Sequence, residues 1–297
     1  EILRLLDVTC ASEPFDQPST GRMLAQAKPP QGKQDNCTIP PSAGYQRLEN
    51  HLYRIEIHKG GDRSKATFKW SRDNGSVVTR IGDMKGEYIT VHDLGPDSDL
   101  GFANGQWVEI IDDWTELGGR PGELVKIKSI NRAQRVVELE SKPTPIDQMR
   151  NPRLRRWDQG ADQEDANGVR MAKDYIPLGE EGIQVQFEEG NYRTGDYWLI
   201  PARTATGDIE WPSSGNPKEA PVALPPAGIE HHYASLALIY VQDGRILVLS
   251  DCRNLFPPLT GITSFFYVGG DGQEVMPDLT LLDRLCPLAE PLRVGVA

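Results

Sequence analysis

From residue 51 to residue 140 the chain repeats one pattern. Short runs rich in Val, Ile, Tyr, Phe, Trp and Thr are each closed off by Gly, Asn, Asp or Pro. The runs are "HLYRIEIH" (51–58), "ATFKW" (66–70), "SVVTRI" (76–81), "EYITVHDL" (87–94), "QWVEIID" (106–112), "LVKIKSI" (124–130) and "RVVELE" (135–140). In the first, Tyr53, Ile55 and Ile57 fall on one side while Arg54, Glu56 and His58 fall on the other, the period-two signature of a strand. Runs this short, with turn residues at both ends, predict antiparallel strands. Further runs follow at 182–189, 195–204, 232–241 and 245–251, and Asp243-Gly244 between the last two predicts a tight hairpin. The fold class expected is therefore mainly β: an antiparallel sandwich or barrel-like domain with little helix. The glycine-punctuated run 101–141 reads as a small inserted curled β-subdomain. Only the piece around 163–175 reads as a helical turn.

The remaining segments set the expected domain boundaries. Residues 1–43 are loop-like, ending in "CTIPPSAGY". A main β domain covers 44–260, with a Pro- and charge-rich connection at 142–180. A linker hairpin follows at 261–290, and "PLRVGVA" (291–297) reads as the first strand of a further module. Both ends look like strands cut in mid-run, so the chain reads as an internal piece of something longer. No internal repeat is evident.

Charge and composition exclude several functions. The net charge is −11 and the isoelectric point about 5.0, which repels phosphate backbones. The one arginine cluster, "RNPRLRRWD" (150–158), is neutralised by Asp147, Asp158, Asp162, Glu164 and Asp165, so no nucleic-acid partner is expected. No apolar run approaches the roughly 18 residues of a membrane helix, and no membrane insertion is expected. Cys10, Cys37, Cys252 and Cys286 form no C-x-x-C pair, so zinc is poorly supported. Cys10 and Cys37 flank a polar loop that a disulfide would restrain, although free thiols fit equally well.

Two dense stretches hold the candidate site residues. In "ATFKWSRDNGSVV" (66–78), Asn74-Gly75 supplies the two positive-φ positions of a type I′ turn, and Phe68 and Trp70 share a buried parity. Turn and core chemistry explain this stretch. Trp70, Arg72, Asp73 and Asn74 are nevertheless carried as ligand contacts, because such rims also serve sugar and calcium sites. In "EEGNYRTGDYWLIPARTATGDIEWP" (188–212), Asp196, Trp198 and Arg203 are the candidates, with Arg203 and Arg193 placed to pair with Asp196. Large groups at both parities of 197–200 suggest a strand covered on both sides. His231 and His232 are adjacent on a strand entry and point apart, so they cannot readily share one metal. Acidic turns at 95–101, 112–114 and 269–274 lack the EF-hand register, so no cofactor is expected and Ca²⁺ is the weak exception. There is no nucleophile elbow, Walker loop or dinucleotide fingerprint, and no catalytic residue is assigned.

The motifs "PPSAGYQRLENHLYRIEIHKGG" (40–61), "ATFKWSRDNGSVV", "NGQWVEIIDD", "RRWDQ" (155–159), "YRTGDYWLIPARTATG" (192–207) and "HHYASLALI…DCRNLFPPL" (231–259) follow one another as in a family of uncharacterised bacterial proteins. The chain resembles that family from about residue 5 to 260. The resemblance implies an association with gene clusters of phage-tail-like contractile injection systems and continuation into immunoglobulin-like modules, with no established catalytic residues. It implies a non-enzymatic structural or adhesive module of a tail-like particle or extracellular surface fibre. The partners expected are itself or other tail or fibre subunits, at the bacterial cell surface or on a particle. The alternative is a carbohydrate-binding module or glycan-active hydrolase that stacks a surface glycan on Trp70, Trp114, Trp198 or Trp211. Two or more of these exposed along one groove would favour it.

Overall fold

The computed structural model describes residues 19–28, 44–160, 166–215, 220–228, 235–253, 265–269 and 293–296. Two compact units are present: Gln17–His231, and a second made of Glu1–Asp16 with His232–Ala297. The larger contains β1 (Met23–Ala27), β2 (His51–Lys59), β3 (Gly61–Asp62), β4 (Thr67–Ser71), β5 (Val78–Lys85), β6 (Tyr88–Val91), β7 (Trp107–Ile111), β8 (Glu123–Asn131) and β9 (Val136–Leu139). It continues with β10 (Arg153–Trp157), β11 (Val169–Arg170), β12 (Ile176–Pro177), β13 (Ile183–Phe187), β14 (Asn191–Tyr192), β15 (Tyr197–Arg203), β16 (Asp208–Ile209), β17 (Ser213–Ser214) and β18 (Ala220–Pro221). The expected mainly β, antiparallel architecture is what the chain adopts.

A sandwich forms one part. The five-stranded sheet β11-β4-β2-β15-β16 faces the three-stranded sheet β1-β13-β12. Between them lie Tyr53, Ile55, Ile57, Phe68, Trp70, Trp198 and Ile200 from the first, and Met23, Ala25, Ile183, Val185 and Phe187 from the second. Period-two alternation explains the choice: Trp70, Ile55 and Trp198 are register partners across β4, β2 and β15, so all three project to one side.

The other part is a closed six-stranded barrel in the order β10-β5-β6-β9-β8-β7. Its interior is filled by Ile81, Ile89, Val91, Val108, Ile110, Val125, Ile127, Val137, Leu139 and Leu154, so it has a packed core and no lumen. The run 101–141 supplies only β7, β8 and β9. The closing strand β10 comes from the arginine cluster, pairing with β7 through Arg153↔Ile111 to Trp157↔Trp107 and with β5 through Arg153↔Arg80.

Several expectations need correction. The segment expected to be loop contains β1, because Met23 and Ala25 alternate into the sandwich. The acidic bend at 112–114 is α1 (Asp113–Leu117). Asp112 caps it, accepting from Thr115 N at 2.8 Å while Asp112 N donates to Thr115 Oγ1 at 2.9 Å. Over 166–175 there is no helical turn among the described residues, and β11 stands there.

In the smaller unit, β19 (Ala237–Gln242) and β20 (Arg245–Asp251) form the predicted hairpin, with Asp243 at φ 49° and Gly244 at φ 72°. β21 (Phe265–Gly269) and β22 (Arg293–Val296) pair antiparallel.

Candidate functional site

The motif 66–78 lies where the five-stranded sheet meets the barrel. Asn74 and Gly75 have φ of 56° and 64°, and Ser76 N donates to Asp73 O at 2.9 Å, so the type I′ turn is present. It does not make a hairpin. β4 pairs with β2 and β11, and the chain leaves the turn to enter the barrel as β5. Gly75 is buried against Arg54, Trp157 and Arg155.

All five residues of β4 are buried. Phe68 and Trp70 enter the sandwich, and Lys69 takes the opposite face toward the barrel. Its Nζ donates to Glu109 Oε1 of β7 at 2.5 Å and lies 3.1 Å from Glu56 Oε1 of β2. It also sits 4.6 Å above the Trp157 ring. Glu109, 1% exposed, further accepts from Trp157 Nε1 at 2.9 Å and Gly122 N at 3.2 Å. His58 Nδ1 stands 3.6 Å away. Burial alone would raise the Glu109 pKa. The charge of Lys69, together with His58, outweighs that and holds the carboxyl well below the ordinary range. His58 is itself pushed down by burial, with Lys69 and Lys59 adding to the effect and Glu109 opposing it. In front of this cluster is a cavity of about 100 Å³, lined by Glu56, Lys69, Glu109, Arg120, Arg155 and Thr194 among others.

A second network flanks the first and contains Arg72 and Asp73. Arg156 of β10, 1% exposed, donates to Asp73 Oδ2 at 2.5 Å, Gly101 O at 2.6 Å and Asp99 O at 2.9 Å, with Nε 3.3 Å from Asp158 Oδ1. Asp73 Oδ1 also meets His51 Nδ1 at 3.2 Å. Asp158 accepts from Arg72 N at 2.9 Å. The Arg72 guanidinium reaches Glu181 at 3.1 Å, and Glu181 also takes Arg47 at 2.8 Å and the Tyr53 hydroxyl. Burial, then the hydrogen bond to Glu181 and its charge, raise the Tyr53 pKa far above normal. Each motif named for this region thus contributes to one junction: "KWSRDNG" from the sheet, "QWVEI" and "RRWDQ" from the barrel.

Residues 8–260 match a family model described as a family of unknown function, DUF6519. The chain belongs to that family. No curated protein and no solved structure matches it.

In this member of the family the remaining candidates disperse. Trp70 and Trp198 are each 1% exposed, and Trp198 Nε1 donates to Leu224 O at 3.0 Å. Both indoles are enclosed by the sandwich and present no open face in this structure. Trp211 is also buried, and only Trp114 of the four tryptophans is open. Asp196 Oδ2 accepts from Arg193 N at 2.8 Å and closes the turn before β15. Arg203 does not pair with it. A seven-residue strand separates the two by about 20 Å, and Arg203 instead makes a two-pronged pair with Glu210 at 2.7 and 3.0 Å. β15 is buried on one parity and half-buried on the other, where Arg54 covers Tyr197 at 3.8 Å.

No group of three or more His, Cys, Asp or Glu residues positioned for a metal exists among the described residues. Asp97, in the 95–101 turn, accepts from Asp99 N and Leu100 N. Cys10, Cys37, His231 and His232 lie outside the described residues. Cys252 is disulfide-bonded.

Sequence reading missed Lys69, Glu109, Arg156 and Trp157 as the central residues. The available signal was a charge inside an apolar run, Lys69 between Phe68 and Trp70 and Glu109 between Val108 and Ile110. A strand buried on both faces turns such a charge into a buried pair.

Proposed function

We propose that this chain is a non-enzymatic structural or adhesive module of a phage-tail-like particle or extracellular surface fibre. One observation carries the reading: the central polar residues pair internally where the barrel meets the sandwich. Arg72, Asp73, Glu109 and Arg156 all have internal partners, as a junction that must stay rigid under force requires. The chemistry of the junction argues against general-acid catalysis there. Glu109 is kept ionised by Lys69 and has no proton to give, so it makes a poor general acid. The glycan reading asks for two exposed indoles along one groove, and three of the four candidates are buried.

The test is co-sedimentation. Tail-like particles or surface fibres purified from producing bacteria on a density gradient should carry this chain at a fixed stoichiometry by quantitative mass spectrometry. Recovery only in low-mass fractions would overturn the proposal.

A further inference from the structure

The two ends of the barrel carry opposite surfaces. β7 runs from Trp107 to Ile111, about 17 Å of strand. The loop 92–106 leads into its start and α1 follows its end, so loop and helix lie at opposite ends. β10 runs antiparallel to β7, which brings residues 147–151 to the helix end. Asn151 Nδ2 donates to Asp113 Oδ2 there at 2.7 Å.

The helix end is apolar and basic. Trp114 is 55% exposed, Leu117 one turn on is 87% exposed and Met149 is 88% exposed. Arg120 stacks on Trp114 at 4.0 Å and Arg150 approaches the ring at 5.3 Å. Asp113 and Glu116 are engaged by Arg153 and Arg155, and Asp147 lies 3.5 Å from Arg150. Among the described residues, Arg120 meets no carboxylate. Trp, Met and Arg together make up the composition of interface hot spots.

The loop end is acidic around an exposed leucine. Leu100 is 59% exposed and is flanked by exposed Asp97 and Asp99. This loop is already ordered. Asp97 accepts from Asp99 N at 2.8 Å and Leu100 N at 2.7 Å, while Arg156 anchors Asp99 O and Gly101 O from beneath. A contact here loses little conformational freedom on forming.

We infer that the Trp114–Arg120–Arg150 surface of one copy receives the Asp97–Leu100 loop of a second copy. Leu100 packs against Trp114, Leu117 and Met149, and the aspartates meet the two arginines. The contact joins different surfaces at opposite ends of one barrel, so it repeats head to tail and builds a ring or a filament. The copies are otherwise strongly acidic and repel one another, and this pairing of opposite charges sets their orientation. The inference deepens the particle reading and rests on it for its purpose.

The test is a charge exchange on the full chain, read by native mass spectrometry and sedimentation, with circular dichroism confirming folding. One variant carries Arg120→Glu and Arg150→Glu, the other Ser98→Lys and Asp99→Lys. All four side chains are exposed. Wild-type protein is expected to self-associate, and each variant alone to do so at least about tenfold more weakly. An equimolar mixture should regain assembly, because each reversed surface then meets its complement. A wild-type monomer at every concentration would overturn the contact. Assembly unmoved by either variant would also overturn it, as would a mixture that stays dissociated. Co-sedimentation with particles does not depend on these surfaces, so the two proposals fail separately.

Discussion

Two ion pairs in this molecule have nearly the same separation and very different surroundings. Lys69 reaches Glu109 at 2.5 Å with side chains 4% and 1% exposed, and Arg203 reaches Glu210 at 2.7 Å with side chains 43% and 57% exposed. The first lies between two packed bodies. The second lies at the edge of the sheet, where water and salt screen it. Both sit in motifs of similar residue density, so density of charge and aromatic groups in the sequence does not report what a pair does. What differs is whether the opposite face of the strand is covered.

The strongest way to break the comparison is to remove one buried partner. Lys69→Met should destabilise the fold by about 3–5 kcal/mol, because Glu109 is left buried without its counter-charge. Adding Glu109→Gln should recover part of that loss, since the buried charge is gone and the amide oxygen can still accept from one of the two donors, Trp157 Nε1 or Gly122 N. Equal denaturant midpoints for the single and double variants would show that the buried charge is not the cause.

Backbone strain at the same junction comes next. Gly75→Val should cost about 1–3 kcal/mol, as a β-branched residue is forced to φ near 64°. A melting curve unchanged from wild type would mean that the turn relaxes freely.

Acid titration sharpens the contrast further. Burial keeps His58 neutral in the folded state, while the unfolded chain takes up a proton below a pKa of about 6.5. Stability from this group is therefore complete above that pH and falls as pH drops toward the lower folded value. Glu109 acts in a lower window with the same sign. Its pKa is depressed on folding, so its contribution is present above about pH 4.3 and is lost on further acidification. Urea unfolding of His58→Gln between pH 7 and 5 should be flatter than wild type, with the decline below pH 4.3 retained. A His58→Gln profile parallel to wild type throughout would remove His58 from the account.

The smallest effect is expected at the sheet edge. Arg203→Ala should leave stability nearly unchanged, and more nearly so at high salt. A larger loss would mean that the pair does more than decorate the surface.

Much of the fold was legible because short-range physics decides it. Alternation in "YRIEIH" assigned Tyr53, Ile55 and Ile57 to the core, and Asp243-Gly244 marked its hairpin. Asn74-Gly75 marked its turn equally well, but turn chemistry sets dihedral angles and leaves strand partners open. The neighbours of β4 were decided by burial on both faces. β10 was missed because four arginines in "RNPRLRRWD" suggest solvent, whereas Leu154, Arg156 and Trp157 are buried and each arginine head finds a carboxylate or carbonyl. The candidate site was legible as a location and not as a role. Trp70, Arg72 and Asp73 do converge, on partners far away in the sequence that spacing alone cannot supply.

The closed barrel is also one continuous stretch of chain, residues 78–157, set between two strands of the outer sheet. β2 and β4 are made before it, and β15, which completes the pairing with β2, is made long after it. The barrel can therefore close from local contacts during synthesis, and the outer sheet must wait for distant sequence to arrive. The face bearing Ile55, Phe68 and Trp70 stays uncovered until β13 joins β1 in the facing sheet, so the nascent chain is most prone to aggregation after the barrel has formed and before residue 187 has emerged.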